Sequence, residues 1–392
     1  MKDINHPEQE LLSVYREHGV VKRSDRDDNF NKAALDRSIY QLVHSGWLVV
    51  NRMKAWQGSV GISSHTGIVS GHYICFRPNH TEDHRFLNWL FRSTVYTAEY
   101  SSLSRGVRPN QVEIDNDWLR SLRVMLPPIE EQRRIADFLD AETARLDALT
   151  TLRSQQIALL QASLESVTTE AIDASPGRSV RLKYLTKKIT SGPRGWGELT
   201  VNSGSPFLRI TNIPRQGITL DLRDLLYVDA PPGPERERSR TQINDVLVSI
   251  TADIGSVALI DERGKDGNIS QHVALVRPAD GLCDPHWLAY ALKSTRSRQA
   301  LQMNSYGGTK MGLGLGDVAN LALNVPSLAT QQSTAMQITR SLDRRNALQV
   351  ALARQGQLLK ERRKALITAA VTGQFDVSTA SGRNVTDGVP TA

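Results

Sequence analysis

The chain repeats one long segment 199 residues further along, in register and without a gap. Residues 126–172 align with residues 325–371, so that Leu149 matches Leu348 and Leu160 matches Leu359. Solenoid proteins repeat every roughly 20 to 50 residues, which is much shorter. The spacing therefore indicates that half a molecule was duplicated, and that one function occurs at two places.

Each copy of the segment has the pattern of one long helix. Pro127-Pro128 and Ser327 are typical of helix starts, and Pro176-Gly177 and Gly373 of helix ends. Apolar residues recur in each copy at heptad spacing, as in a coiled coil. The apolar positions that we expect to mediate helix–helix contact or subunit docking are Leu139, Leu146, Leu149, Leu160, Val167, Ile338, Leu348, Leu352, Leu359 and Leu366.

The two predicted helices carry opposite charge. Residues 126–175 contain four basic and nine acidic residues, a net of −5, whereas residues 325–376 contain eight and three, a net of +5. Flanking charges select partners in coiled coils, so we expect the helices to pair with each other. The alternative is that each helix lies separately on its own domain.

The stretches before each helix are rich in strands and turns, and they also repeat. Residues 47–60 resemble residues 245–257, and His72 matches His272. The register begins at Leu12 in the first half, which has only eleven residues before it, so we expect the first domain to be short at its N-terminus. We predict a first globular domain over 1–125, a helix within 126–177, a second globular domain over 178–324, a helix within 325–376 and a flexible tail over 377–392.

The predicted fold class is therefore mixed α/β (α+β). Two globular domains are separated by two long antiparallel coiled-coil helices, with a pseudo-twofold internal repeat. A length of 392 residues is consistent with more than one core.

The composition indicates which class of partner the protein binds and in which cellular compartment it is found. A net charge of +7 and a pI near 9.4 favour a polyanionic partner. The two cysteines, Cys75 and Cys283, do not suggest a disulfide framework, and no apolar run is long enough to span a bilayer. We expect a cytoplasmic protein that does not bind membranes.

Motifs for catalysis are absent from the sequence. Asp229-Ala230-Pro231-Pro232 is not the Asp-Pro-Pro-Tyr type of an adenine methyltransferase, and residues 312–316 have neither dinucleotide-binding nor Walker spacing. The histidines show no zinc-ligand spacing. We therefore expect no catalytic residue and no metal site.

The helical motifs resemble a known family. Residues 126–143, which begin Leu126-Pro127-Pro128-Ile129-Glu130-Glu131-Gln132, are similar to the first conserved region of type I restriction–modification specificity subunits. Residues 362–374, from Arg362-Arg363-Lys364 to Gly373-Gln374, resemble the end of the second.

The resemblance implies a non-catalytic, sequence-specific DNA-binding subunit. Each globular domain would be a target recognition domain that reads one half of an asymmetric, bipartite site in double-stranded DNA. The paired helices would act as a spacer and dock two methyltransferase (modification) subunits and the restriction (motor–nuclease) subunits. S-adenosylmethionine, ATP and Mg would be bound by those partner subunits, and no cofactor by this chain.

Several polar residues are candidates for DNA contact. They lie in glycine-containing or strand-connecting segments, where the backbone can approach phosphates while a side chain reaches a base. The candidates are Arg52, Lys54, Arg105, Arg108, Arg209, Asn212, Tyr306, Thr309 and Lys310. The alternative for each is a solvated surface residue.

Two further points stay open at the level of sequence. Arg362-Arg363-Lys364 could contact DNA phosphates, a partner subunit or the acidic first helix, and a protein–protein role is favoured by the complementary charge. The whole chain could instead be a scaffold whose degenerate first domain no longer reads DNA.

Overall fold

The computed structural model describes residues 3–25, 36–106, 112–305 and 312–377, the side chains of residues 164 and 165 excepted. The predicted tail, apart from Val377, and the candidates Arg108, Tyr306, Thr309 and Lys310 lie outside the described residues. Within those ranges no helix is both long enough and apolar enough to cross a membrane.

The fold is mixed α/β, as the sequence predicts, and it divides into two compact units. Unit 1 comprises residues 1–153 and 354–392, and unit 2 comprises residues 154–353. Both long helices are confirmed, the first as α4 (Ile129–Asp173) and the second as α9 (Leu328–Val371). Each unit therefore contains one half of α4 and one half of α9.

Unit 1 combines short strands with three short helices. Its strands are β1 (Leu12–Tyr15), β2 (Gly19–Lys22), β3 (Gln41–Val43), β4 (Leu48–Asn51), β5 (Val60–Ile62), β6 (Gly67–Val69), β7 (Tyr73–Phe76), β8 (Ser104–Arg105) and β9 (Glu113–Ile114). Its short helices are α1 (His84–Phe91), α2 (Thr94–Ser102) and α3 (Asn116–Ser121). The main sheet is antiparallel with strand order β5-β4-β7, beside the pairs β1-β2, β3-β6 and β8-β9.

Unit 2 has the same plan with larger sheets. Its strands are β10 (Arg178–Arg181), β11 (Thr186–Ser191), β12 (Thr200–Val201), β13 (Ser205–Leu208), β14 (Leu226–Val228), β15 (Val246–Ser249), β16 (Val257–Leu259), β17 (Asn268–Ile269), β18 (Val273–Pro278) and β19 (Ala322–Val325). Its short helices are α5 (Pro234–Ser239), α6 (Pro285–Lys293), α7 (Thr295–Met303) and α8 (Leu315–Asn320).

The repeat in the sequence corresponds to a repeat in the sheets. In unit 2 the order β11-β18-β15-β16 contains β15, β16 and β18, which match β4, β5 and β7 of unit 1. A second sheet has the order β12-β14-β13-β17, in which β13 and β17 are parallel. The described main sheet of unit 1 thus has three strands where that of unit 2 has four.

One buried glutamine in each unit joins the start of a long helix to a short helix. In unit 1 the amide of Gln132 accepts a hydrogen bond from the backbone N–H of Asp83 (3.0 Å) and donates to the carbonyl of Pro127 (2.8 Å). In unit 2 Gln331 does the same with Asp284 (2.8 Å) and Pro326 (3.0 Å). Both side chains are almost fully buried.

The residues held by these glutamines begin the short helices. Asp83 caps α1 by accepting from the N–H groups of Arg85 and Phe86, and Asp284 caps α6 by accepting from Trp287. Side-chain caps satisfy N–H groups that have no partner inside the helix. The glutamine therefore fixes the position at which α1 or α6 starts.

In each unit the C-terminal part of the other long helix is hydrogen-bonded to the next short helix, α2 in unit 1 and α7 in unit 2. In unit 1 Thr368 of α9 bonds Thr94 at the start of α2, with 2.7 Å between the hydroxyl oxygens. In unit 2 Thr169 of α4 bonds both the hydroxyl and the N–H of Thr295 at the start of α7 (both 3.1 Å). The two long helices thus exchange roles between the units.

Within each unit the two helix halves run antiparallel and contact each other. In unit 1 Arg363 Nε lies 2.9 Å from Asp147 Oδ1. The ring centroids of Phe138 and of Phe375, four residues beyond α9, are 5.5 Å apart. In unit 2 Arg345 donates to Ser163, and the hydroxyl oxygen of Ser175, two residues beyond α4, lies 3.3 Å from that of Thr334. Coiled-coil pairing along the whole helix length stays a prediction.

The apolar positions proposed for helix contact differ in burial. Leu139 and Leu366 enter the core of unit 1 together with Phe86 and Leu90 of α1, and Ile338 enters that of unit 2. Leu146 and Leu352 are also buried, whereas Leu149, Leu160, Val167 and Leu359 are half-buried. Leu348 is 49% exposed, so it does not face the core of its unit.

We expect Gln331→Ala to lower the unfolding free energy of unit 2 by about 1 to 3 kcal/mol, because the N–H of Asp284 loses its acceptor. The neighbouring Gln332 is exposed, which makes Gln332→Ala a matched control. Urea denaturation followed by circular dichroism measures both variants. Equal midpoints for the two would show that the buried amide does not stabilise the unit.

Candidate functional sites

Three segments of unit 1 meet at one end of its main sheet. The segments are the loop that leaves β4, the β6–β7 turn and the chain at β9. The N–H of Arg52 donates to the carbonyl of His72 (2.9 Å), and the N–H of Ile114 donates to the carbonyl of Arg52 (3.1 Å). We call this end of unit 1, with the described segments 52–57, 70–72, 104–106 and 112–114, edge 1.

Edge 1 brings together the described candidates that the sequence suggested for this half. Arg52 and Lys54 are exposed in the loop after β4, and Arg105 is exposed on β8. The Arg105 guanidinium lies 4.6 Å from the ring centroid of Trp118, a cation–π contact that orients the cation while leaving it accessible. His72, also exposed, completes the polar surface.

Unit 2 has the same arrangement at repeat-equivalent positions. The N–H of Ile250 donates to the carbonyl of His272 (3.1 Å), and the N–H of Leu313 donates to the carbonyl of Ile250 (2.9 Å). Strand β11 adds a fourth segment, because Gly192 donates to the carbonyl of Ser270 (3.3 Å). We call this end, with its loops at residues 192–197, 250–256 and 270–272, edge 2.

A close backbone approach holds the additional loop of edge 2. A Cβ added to Gly192 would lie 1.9 Å from the carbonyl oxygen of Ile269, so only glycine fits there. Two residues later Arg194 is exposed, and it makes no hydrogen bond or ion pair with a described residue. The loop therefore presents a free guanidinium from a fixed backbone.

Edge 2 also carries an oriented imidazole. The side chain of Gln271 lies 3.0 Å from His272 Nε2, and Thr251 Oγ1 lies 3.0 Å from His272 Nδ1. Because the amide nitrogen of Gln271 donates, Nε2 is the acceptor and Nδ1 carries the proton that is donated to Thr251. Gln271 keeps its amide oxygen and one N–H for another partner.

The structure places Asn212, a residue that the sequence suggests for DNA contact, in the interior of unit 2. Asn212 is fully buried, its Oδ1 accepts from the N–H of Arg209 (2.9 Å) and its Nδ2 donates to the carbonyl of Asp221 (2.9 Å). An amide that is buried and bonded on both sides offers nothing to a base. Its role is to hold the turn that follows β13.

Arg209 is also committed to structure. Its guanidinium donates to the carbonyl of Asp224 (2.8 Å), and its Nε is buried without an acceptor. The backbone beside it does reach edge 2, because the N–H of Ser270 donates to the carbonyl of Leu208 (2.9 Å). Contact between Arg209 and a ligand would require its side chain to leave Asp224.

Sequence reasoning missed Arg194, Gln271 and both edge histidines. The repeat does mark His72 and His272 as equivalent, but the sequence analysis considers the histidines only as possible zinc ligands. Arg194 stands between glycines in Gly192-Pro193-Arg194-Gly195, a pattern that could have identified its loop as a binding segment.

The described ranges were also compared with the requirements of a metal site and of a reactive thiol at Cys283. No cluster of three or more His, Cys, Asp or Glu side chains there could hold a metal ion. Burial raises the pKa of the Cys283 thiol to about 12, so that it stays protonated near neutral pH.

The chain matches the model of a known protein family. The model described as "Type I restriction modification DNA specificity domain" matches residues 9–159 and 235–353, together about two thirds of the chain. The EcoBI type I restriction enzyme specificity subunit of Escherichia coli is 24% identical over 248 residues, which are 56% of this chain and 51% of that protein. The chain thus aligns with about half the length of this curated relative.

Two solved structures share the fold. A chain from a type I R-M system, studied for complex assembly and conformational transition, superposes with a TM-score of 0.72 at 18% identity, covering 96% of this chain and 95% of its own. The HsdS subunit of Thermoanaerobacter tengcongensis gives a TM-score of 0.59 at 21% identity, covering 87% and 84%.

We expect Asn212→Ala to lower the unfolding free energy of unit 2 by about 1 to 3 kcal/mol, since the Arg209 N–H and the Asp221 carbonyl lose their partners. Thr211→Ala, at the exposed neighbouring position, should change stability little. Thermal unfolding of both variants measures the difference. Unchanged stability with weakened duplex binding would instead restore Asn212 as a base-contacting residue.

Proposed function

Because this chain belongs to the type I restriction–modification DNA specificity family, we propose that it reads a bipartite DNA sequence and directs partner subunits to it. Each unit would contact one half of the site. The two edges carry different side chains, so the two half-sites should differ and the whole target should be asymmetric.

The observation that carries the proposal is the presence of equivalent edges in both units. In each, one strand exit is bonded to a histidine-containing turn and to a returning segment, at matching positions of the repeat. Such duplicated backbone geometry with diverged side chains is what two similar readers of different sequences require. Loops supported by a rigid sheet are a common location for binding residues.

Edge 1 would combine backbone attraction with base readout. Arg52 and Arg105 can donate in a bidentate manner to the O6 and N7 of guanine, which is a frequent specific contact. Lys54 is a point charge suited to a phosphate. Three exposed cations here and a net charge of +7 for the chain support binding to a polyanion.

Edge 2 would read a different half-site. Arg194 again suits guanine, while the amide of Gln271 can pair with the N6 and N7 of adenine. The contacts of His272 with Thr251 and Gln271 hold the imidazole in one tautomer, with the proton on Nδ1. Amide and imidazole chemistry therefore replaces most of the positive charge that edge 1 offers.

The long helices would dock the partner subunits. Several large apolar side chains on them are exposed, and buried apolar contacts drive stable association. The side chains are Leu152, Leu159, Leu348, Val350 and Leu358, which are 49% to 71% exposed. We propose that modification and restriction subunits cover them, and that S-adenosylmethionine, ATP and Mg are bound by those subunits while this chain is not catalytic.

We expect cells that express this chain with its partner subunits to contain a methylated, asymmetric adenine motif with an unspecified spacer. Sequencing of methylated adenines in the genome measures it directly. A stable assembled complex without any such motif would falsify the proposed function.

The same measurement assigns each edge to a half-site. Arg52→Ala with Lys54→Ala should relax or abolish one half of the motif, and Arg194→Ala should affect the other. Arg263→Ala is a control for loss of a cation in unit 2, because Arg263 pairs with Asp261 in the loop after β16, away from edge 2. One missing bidentate contact should reduce discrimination by about 1 to 3 kcal/mol.

We expect Leu159→Glu to weaken assembly with the modification subunits without changing duplex affinity, because a charge at a 71% exposed site is tolerated until a partner buries it. Gln161→Glu adds the same charge at a nearby exposed position and serves as the control. Analytical ultracentrifugation of the mixed subunits compares the two. Equal assembly would place the docking surface elsewhere.

A scaffold function without DNA reading in unit 1 is the second candidate. Its support is the difference between the main sheets, since the described strands of unit 1 do not include a match for β11, which leads to Arg194 in unit 2. A methylation motif with only one specified half, that half being lost in Arg194→Ala, would establish it.

A further inference from the structure

Four cationic side chains contribute to the lining of a cavity of about 130 Å³ in unit 1. It lies where the β1–β2 turn, the junction of α1 and α2, and the last turns of α9 come together. Its charged lining residues are Arg16, Glu17, Arg92, Arg363 and Lys364, which together carry a net charge of +3. Cations crowded around a cavity repel one another unless an anion joins them.

Two of these cations share one aromatic ring. The guanidinium carbon of Arg92 lies 5.8 Å from the ring centroid of Trp89, and that of Arg363 lies 5.6 Å from it. Trp89 itself is fixed by a hydrogen bond from its Nε1 to Asp140 (2.8 Å). The fold therefore holds two like charges at one indole.

The positive charges are only partly compensated. Arg363 pairs with Asp147, and Arg16 Nε lies 3.6 Å from a carboxylate oxygen of Glu17. Among the described residues, Arg92 donates to the carbonyl of Glu17 (2.6 Å), and its Nε is buried without an acceptor. Burial, and after it the charge of Arg363, lowers the pKa of Arg92 to about 10. Lys364 makes no hydrogen bond or ion pair with any described residue.

We propose that this cavity binds a phosphate group. Guanidinium and ammonium groups are the preferred phosphate ligands in proteins, and Arg16, Arg92 and Lys364 approach the cavity from three separate elements. Ser93 and Thr94 also line it, so the positive end of the α2 dipole adds to the attraction. A bound dianion would offset the repulsion between Arg92 and Arg363.

The repeat indicates that this site is specific to unit 1. The residues of α4 that match Arg363 and Lys364 are Leu164 and Glu165, so the equivalent charges are not encoded. The match for Arg92 is Lys293, whose Nζ donates to the carbonyls of Pro214 (3.3 Å) and Arg215 (3.0 Å). Duplication kept the anchoring threonines and a cation at the Arg92 position, but the two cations of α9 have no cationic counterpart on α4.

The cavity is connected to edge 1 by a single loop. The segment that presents Arg52 and Lys54 ends at Gly58 on the cavity wall, where an added Cβ would lie 3.0 Å from Thr97 Oγ1. A phosphate of the DNA backbone and a free phosphate would satisfy the same chemistry. The experiment therefore has one arm for each source.

The first arm measures the melting temperature of the full chain in increasing inorganic phosphate, with sodium chloride adjusted to constant ionic strength. We expect the melting temperature to rise with phosphate, because a ligand that binds only the folded state stabilises it. Lys364→Ala and Arg16→Ala, both at exposed positions, should weaken apparent phosphate affinity about tenfold. Lys360→Ala, one turn earlier on the same helix, should behave as the parent chain.

The second arm measures affinity for a random-sequence duplex as a function of salt. If a backbone phosphate occupies the cavity, Lys364→Ala should reduce the slope of log K against log salt by about 0.9 relative to Lys360→Ala. Equal slopes together with a specific phosphate effect identify a free phosphate as the ligand.

Absence of phosphate stabilisation, or an equal effect in Lys360→Ala and Lys364→Ala, overturns the proposal. The outcome is separate from that of the proposed function. If the chain binds phosphate but directs no methylation motif, the phosphate site is supported and the proposed function is not. If it directs a motif but does not bind phosphate in this cavity, the proposed function is supported and the phosphate site is not.

Discussion

The buried amide of one glutamine in each unit determines where the globular part sits on the long helices. Gln132 and Gln331 each bond the helix-capping aspartate of a short helix and a carbonyl just before their own helix. Both amides are neutral, so burial costs only the loss of water contacts, which these hydrogen bonds replace. The position of α1 or α6 thereby follows from the start of α4 or α9.

This attachment explains why the repeat is strongest in the helices and weaker in the loops. Each unit contains the same buried glutamine at the start of one long helix and the same threonine near the end of the other. Each also has a hydrogen bond between an aromatic side chain of its first short helix and the long helix that carries the glutamine. Trp89 bonds Asp140 in unit 1, and Tyr290 bonds Thr339 in unit 2. The residue types differ, but the bond recurs at equivalent positions, so geometry limits these sites more than identity does.

Some features were predictable from the sequence because they depend on local patterns. Prolines before Ile129 and the heptad pattern predict α4 to within a few residues, since helix starts and apolar stripes are local properties. The buried role of Asn212 was not predictable, because the same Asn-containing turn could expose or bury its amide. Burial there depends on Asp221, which only the folded chain brings to it.

At the two edges, too, some residues are recognisable from the local sequence and others only from the folded structure. Arg52 and Lys54 are recognisable in the sequence as cations in a loop between strands. The glycines around Arg194 mark its loop, but only the pairing of β11 with β18 places that loop at edge 2. The identity of a buried residue such as Gln331 is limited by its hydrogen bonds within its own unit. The identity of an exposed cation is limited only by the ligand or partner that it contacts. Duplication therefore preserves the anchors, and the charged surfaces are where the two halves can diverge and acquire separate ligands.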